Sequence, residues 1–171
     1  MQFRSAFKLL LPLVLTAASS SAFAQSTAST TTTGSATIVQ PITLTPGTGL
    51  AFGTIVRPGT GTGTVTINEI TGARTVANGV VALASTATRA SYTVAGEGGS
   101  TYSIAVPATF NLTGPGTIAV ALTPTATTGT LSNALGTAGT SAFGVGGNFS
   151  VASTTATGTY SGTYSVTVAY N

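Results

Sequence analysis

The chain has 171 residues and a formal net charge of +3, with no His, no Cys and only two acids, Glu69 and Glu97. Nucleophilic triads need a base, metal sites need several ligands, and acid–base hydrolysis is usually run by paired carboxylates, so this composition argues against an enzyme, a metal site and a bound cofactor. Of five basic residues, Arg4 and Lys8 lie at the N-terminus and only Arg57, Arg74 and Arg89 follow, too few for the basic patch that nucleic acid requires.

Met1–Ala24 reads as a secretory signal peptide. Arg4 and Lys8 form a basic start, Leu9–Ala18 is a short apolar stretch, and Ala22-Phe23-Ala24 offers small residues for cleavage between Ala24 and Gln25. The apolar stretch falls well below the roughly 20 residues of a membrane-spanning helix, and no later segment reaches that length. The chain is therefore expected to be exported to the periplasm and on to the cell surface or beyond. Export permits disulfides, yet without Cys the fold must rely on packing and strand pairing.

Residues 25–35 are Thr, Ser, Ala, Gln and Gly. They cannot build a core alone and read as a flexible arm. From Ala36 to Asn171 the chain reads as one β domain. The β-branched residues Thr and Val dominate short runs separated by Gly, Pro and Asn. The expected strands are Thr37–Thr45, Leu50–Val56, Gly63–Asn68, Val80–Ala84, Ala90–Ala95, Tyr102–Val106, Ile118–Leu122, Asn148–Ala152 and Tyr160–Tyr170. Pro41 suggests that the first is an edge strand or bulged. Gly96–Gly99 between two alternating runs predicts a hairpin over Ala90–Val106. Glu69 and Glu97 read as loop charges, and Gly144–Gly147 as a turn. Ser132–Leu135 could hold one helical turn and no more. Many short strands with regular turns indicate an all-β sandwich, with a barrel as the second choice.

The C-terminal run alternates most cleanly. Tyr164, Val166, Val168 and Tyr170 fall on one face, and Thr163, Ser165, Thr167 and Ala169 on the other, the pattern of a strand with one dry side. Tyr160, Tyr164 and Tyr170 are also the residues that a carbohydrate-binding face would use, although strand packing predicts them equally well. The sequons at Asn111 and Asn148 carry no weight in so Thr-rich a chain.

Several stretches together carry a resemblance. Ala36-Thr37-Ile38-Val39-Gln40-Pro41-Ile42-Thr43-Leu44 is followed by Leu50-Ala51-Phe52-Gly53-Thr54-Ile55, then Tyr92–Glu97, Tyr102-Ser103-Ile104, Gly144–Phe149 and the ending Gly158–Asn171. In this order they closely resemble the bacterial domain-of-unknown-function family numbered 4402, which has no assigned activity. More distantly, Leu50–Gly53, Val94–Ile104 and Gly158–Tyr170 are similar to landmarks of the spore coat protein U-type subunits of archaic chaperone–usher pili. Those subunits usually carry Cys in the central element, where this chain has Ala95.

The pilin resemblance implies an immunoglobulin-like antiparallel β-sandwich that lacks its final strand. It implies a fimbrial subunit that polymerises with like subunits by donor-strand exchange, after transit with a periplasmic chaperone and an outer-membrane usher. Tyr164, Val166, Val168 and Tyr170 would then form the assembly strand. Ala28, Thr30, Thr32, Gly34, Ala36 and Ile38 would be the alternating positions of the donor segment. Ile38, Ile42 and Leu44 are its best apolar residues but read as part of the first core strand. The alternatives are a self-complete secreted sandwich of matrix or surface-layer type and, more remotely, a small outer-membrane β-barrel.

Overall fold

A computed structural model describes residues 27–171. The expected signal peptide and its Ala24–Gln25 junction lie outside the described residues. Contacts divide the chain into two units, Met1–Ala36 and Thr37–Asn171. In the first, the described residues Thr27–Ala36 have no regular secondary structure and are exposed.

The second unit is all-β. Its strands are β1 (Thr43–Pro46), β2 (Ile55–Val56), β3 (Thr62–Ile67), β4 (Arg74–Ala77), β5 (Val81–Ala82), β6 (Ala90–Glu97), β7 (Thr101–Ala105), β8 (Thr109–Thr113), β9 (Thr117–Pro124), β10 (Thr128–Thr130), β11 (Ala138–Ala152) and β12 (Thr167–Tyr170). There is no helix among the described residues, so none is long and apolar enough to cross a membrane. Every ladder is antiparallel. The strands form a large sheet, a three-stranded sheet β10-β7-β12 and a small β2-β5 ribbon. The sheets keep open edges, as in a sandwich, and do not close into the barrel held as the second choice.

The large sheet is organised around β11, which runs for 15 residues. Its first half pairs with β6 and its second half with β3, while β9 pairs across Val145–Phe149. Val145 has partners in both β6 and β9, and Gly147–Phe149 have partners in both β3 and β9. It follows that β6 and β3 sit end to end along one edge of β11 and β9 lies along the other. The segment Gly144–Gly147, expected as a turn, is thus the buried middle of the longest strand. The glycines are there for space. A Cβ at Gly146 would lie 2.4 Å from the Ile67 carbonyl oxygen and 2.6 Å from the Glu69 nitrogen, so the chain leaving β3 passes directly over the strand.

Alternation along the strands builds the core. Val65 and Ile67 of β3, Val94 of β6, Tyr102 and Ile104 of β7, Val120 and Leu122 of β9, and Val145, Phe149 and Val151 of β11 are all buried. Phe52 meets Phe149 edge to face at 4.9 Å. The three arginines serve the framework. Arg74 donates to the carbonyls of Phe52 (2.8 Å) and Leu83 (2.7 Å), Arg89 to that of Glu69 (2.7 Å), and Arg57 to that of Thr155.

Three strands exceed expectation: β4, β8 and β10 were not anticipated. The expected Thr37–Thr45 strand is reduced to β1, and Leu50–Val56 to the two residues of β2 plus a bridge from Ala51 to Thr88. The expected hairpin over Ala90–Val106 does not form: β6 and β7 follow one another across Gly98–Ser100 but pair with different strands, because the glycine turn carries the chain from one sheet to the other.

Candidate assembly edge

Strands β6 and β7 lie in different sheets joined by the Gly98–Ser100 turn, and each carries one further strand at an edge of its sheet. Strand β1 pairs with β6, Thr43 opposite Ala95 through Pro46 opposite Tyr92. Strand β12 pairs with β7, Thr167 opposite Ala105 through Tyr170 opposite Tyr102. Both are edge strands of their sheets. The two strands come together where the Tyr170 hydroxyl donates to the carbonyl of Gln40, just before β1, and each keeps one free edge.

The C-terminal run keeps its alternation but not its continuity. Tyr164, Val166, Val168 and Tyr170 are half-buried against the core, whereas Thr163, Ser165, Thr167 and Ala169 are exposed. Only Val168 and Tyr170 lie in β12; Tyr164 and Val166 precede it. The expected single strand over Tyr160–Tyr170 is broken because the chain changes sheets. Ser161 bridges Thr113 of β8 in the large sheet, with reciprocal main-chain bonds of 2.8 and 3.0 Å, and the chain then crosses to β7. Gly162 permits the crossing, since a Cβ there would lie 2.1 Å from the Asn111 carbonyl oxygen.

Aromatic side chains mark the crossing. Tyr164 packs against Phe110 at 4.9 Å, a hydrogen bond joins its hydroxyl to that of Tyr92 at 3.4 Å, and Tyr92 stacks on Phe143 at 5.2 Å. Burial, followed by the Tyr92 hydrogen bond, pushes the Tyr164 hydroxyl well above the ordinary tyrosine range. Tyr160 and Tyr164 therefore face different surroundings. The Tyr160 hydroxyl donates to the Ala156 carbonyl at 2.8 Å.

The candidate donor residues Ala28, Thr30, Thr32, Gly34, Ala36 and Ile38 are all exposed and in no strand. Ile38 is not part of the core strand, as expected from its neighbours, but is 93% exposed. Val39 is also exposed, and ladder pairing begins only at Thr43. Ile42 and Leu44 are half-buried in the domain's own core, which removes them from the free segment.

Sequence reasoning missed one residue of the site. Glu97, expected in a loop, ends β6 and is only 2% exposed. Its carboxylate accepts hydrogen bonds from the main-chain nitrogens of Gln40 (3.1 Å) and Gly136. Its own nitrogen donates to the Tyr170 hydroxyl at 2.7 Å, and that hydroxyl donates to the Gln40 carbonyl at 2.9 Å. Tyr170 reaches this point by crossing Gly96, where a Cβ would meet the hydroxyl at 2.2 Å. Its place after Val94 and before a glycine turn was the only signal available.

Chemically, the edge offers main-chain donors and acceptors and half-buried apolar side chains. Among the described residues no group of three or more His, Cys, Asp or Glu could hold a metal ion. The outer face of the large sheet has a shallow depression of about 500 Å³ lined mainly by Thr, Ser, Ala and Asn, with Ile118 and Phe149, and with no ionisable side chain.

No curated protein and no solved structure matches the chain. One family does, over residues 42–170, a span that begins just before β1 and ends with β12 and so includes both edge strands. The chain belongs to the family described as Domain of unknown function (DUF4402).

Proposed function

We propose that this protein is a non-enzymatic, exported structural subunit that polymerises by strand addition, as a fimbrial or pilin-like building block of immunoglobulin-like type. The observation that carries this reading is the pair of free edges on β1 and β12, whose apolar residues Leu44, Val168 and Tyr170 are only half-buried. An unpaired edge with an apolar face is a template for another strand. The second support is the exposed, unladdered segment ending at Val39, with Ile38 as its large apolar residue. A segment of one copy added to the edge of the next is a head-to-tail contact that does not close, and it generates fibres. Before assembly the same edge would need covering, the task of a periplasmic chaperone and an outer-membrane usher in the resembling pilins.

The absence of Cys makes the test direct. A chain carrying Thr32→Cys together with either Thr167→Cys or Ala169→Cys, all exposed positions, is expected to give a ladder of disulfide-linked multimers on non-reducing gels. Monomers alone from both pairs would contradict strand addition.

One observation favours a second reading, a self-complete secreted surface or matrix protein. Among the described residues no buried side-chain polar atom lacks a hydrogen-bond partner, and Val65, Val94, Val120 and Val145 are wholly buried without a donor strand. In that case the cysteine pairs stay monomeric.

A further inference from the structure

We propose that Gln40, Glu97 and Tyr170 form a latch that ties the chain just before β1 to the ends of β6 and β12 and so fixes the start of the first strand. A role beside an edge that accepts a strand rests on the strand-addition reading above; the latch itself does not.

Gln40 is held by both of its main-chain groups. Its nitrogen donates to the Glu97 carboxylate at 3.1 Å, and its carbonyl accepts from the Tyr170 hydroxyl at 2.9 Å. Tyr170 lies on β12, Glu97 at the end of β6, and Gln40 just before β1. Three segments far apart in sequence therefore meet at one residue. On one side of it, residues 27–39 are exposed and form no ladder; on the other, Ile42 and Leu44 pack on the core. The chain belongs to the domain unit from Thr37 onward, and the latch fastens it there ahead of β1.

The chemistry suits a fastening. Glu97 is the buried charged residue of the domain, and its carboxylate is satisfied by the main-chain nitrogens of Gln40 and Gly136. Carboxylate hydrogen bonds of this kind are charge-assisted and stronger than neutral ones. Losing one partner leaves a buried acceptor unmet, which is costly and makes the contact close to all-or-none. Pro41 follows at once and holds Gln40 extended, with both groups available to the latch. Beside the latch lies an open depression of about 380 Å³ lined by Val39, Ser100, Thr101, Tyr170 and Asn171. Towards Pro46, the ladder partner of Tyr92, a second tie joins the Tyr92 and Tyr164 hydroxyls at 3.4 Å through side chains alone.

Amide hydrogen exchange of the purified monomer, with no peptide or partner present, tests the latch. Tyr170→Phe deletes one oxygen atom and is expected to speed exchange at Gln40 and Glu97 by about tenfold, the consequence of losing a hydrogen bond of ordinary strength, while Val94 and Val120 amides keep their protection. Unchanged exchange at Gln40 would overturn the latch. If Tyr170→Phe loosens the whole domain, the wild-type protein decides. The latch requires a slowly exchanging Tyr170 hydroxyl proton with a cross-relaxation peak to Gln40, and a hydroxyl in rapid exchange with water would overturn it. Failure of the cysteine ladders with the Gln40 result intact would remove strand addition and leave the latch standing.

Discussion

Strands β11 and β12 use the same residue chemistry and end in opposite situations. β11 has neighbours along both edges, and from Phe143 to Gly147 it is buried on both faces. β12 has one neighbour, β7, and alternates between half-buried and exposed residues to its last position. The first is finished by the domain itself; the second is left with a free edge. The difference shows where packing fixes the fold and where the fold remains available to a partner.

Changes in β11 should therefore act on folding alone, and they carry the largest effects. Phe149→Ala removes a buried ring packed on Phe52 and is expected to cost about 4 kcal/mol in denaturant unfolding. Gly146→Ala places a methyl against the main chain of Ile67 and Glu69 and is expected to cost about 3 kcal/mol, since backbone cannot yield as a side chain can. A loss below about 1 kcal/mol for Gly146→Ala would show that the crossing is looser than described.

At β12 the balance shifts from stability to association. Val168→Asp places a charge on a half-buried edge and is expected to cost about 1–2 kcal/mol while abolishing the cysteine-linked ladder. Retained ladders would remove Val168 from the assembly face. Ile38→Asp is the sharper separation. The residue is 93% exposed, so the unfolding free energy should change by no more than about 0.5 kcal/mol, yet the ladder should weaken. A large stability loss would show that Ile38 belongs to the domain core after all.

The smallest effect is one of pH. The Tyr164 hydroxyl has its pKa raised above the ordinary value of 10.0, chiefly by burial. A raised folded-state pKa means that the neutral form is favoured in the native state. Its contribution is fully present below pH 10 and is lost as pH rises above it towards the folded-state value. Unfolding followed from pH 8 to 11.5 should show a decline above about pH 10 that Tyr164→Phe reduces; an equal decline in both proteins would place Tyr164 in solvent.

The same contrast explains what could be read from the sequence. The face formed by Tyr164, Val166, Val168 and Tyr170 was legible because a strand with one dry side has period two. The break at Ser161 was not, since a change of sheet leaves the alternation intact. Strand β8 had a usable signal in Phe110 and Leu112 set between Thr109, Asn111 and Thr113; β10, Thr-Gly-Thr, had none. Gly144–Gly147 was misread because glycine serves equally for a turn and for a backbone crossing, and only tertiary contact separates them. Glu97 was misread because a lone acid beside glycines is normally solvated, and its partners are main-chain nitrogens at Gln40 and Gly136, far away in sequence. Alternation thus revealed the candidate edge, and nothing local revealed its fastening.

The most direct test of the central claim is thermal unfolding with size analysis of protein beginning at Gln25, with and without a synthetic peptide of residues 25–45. A strand-accepting edge predicts a melting temperature that rises with peptide concentration, and self-association that the peptide suppresses. A monomer that melts cooperatively and ignores the peptide would contradict it, and would establish that the sandwich is complete without a neighbour's strand.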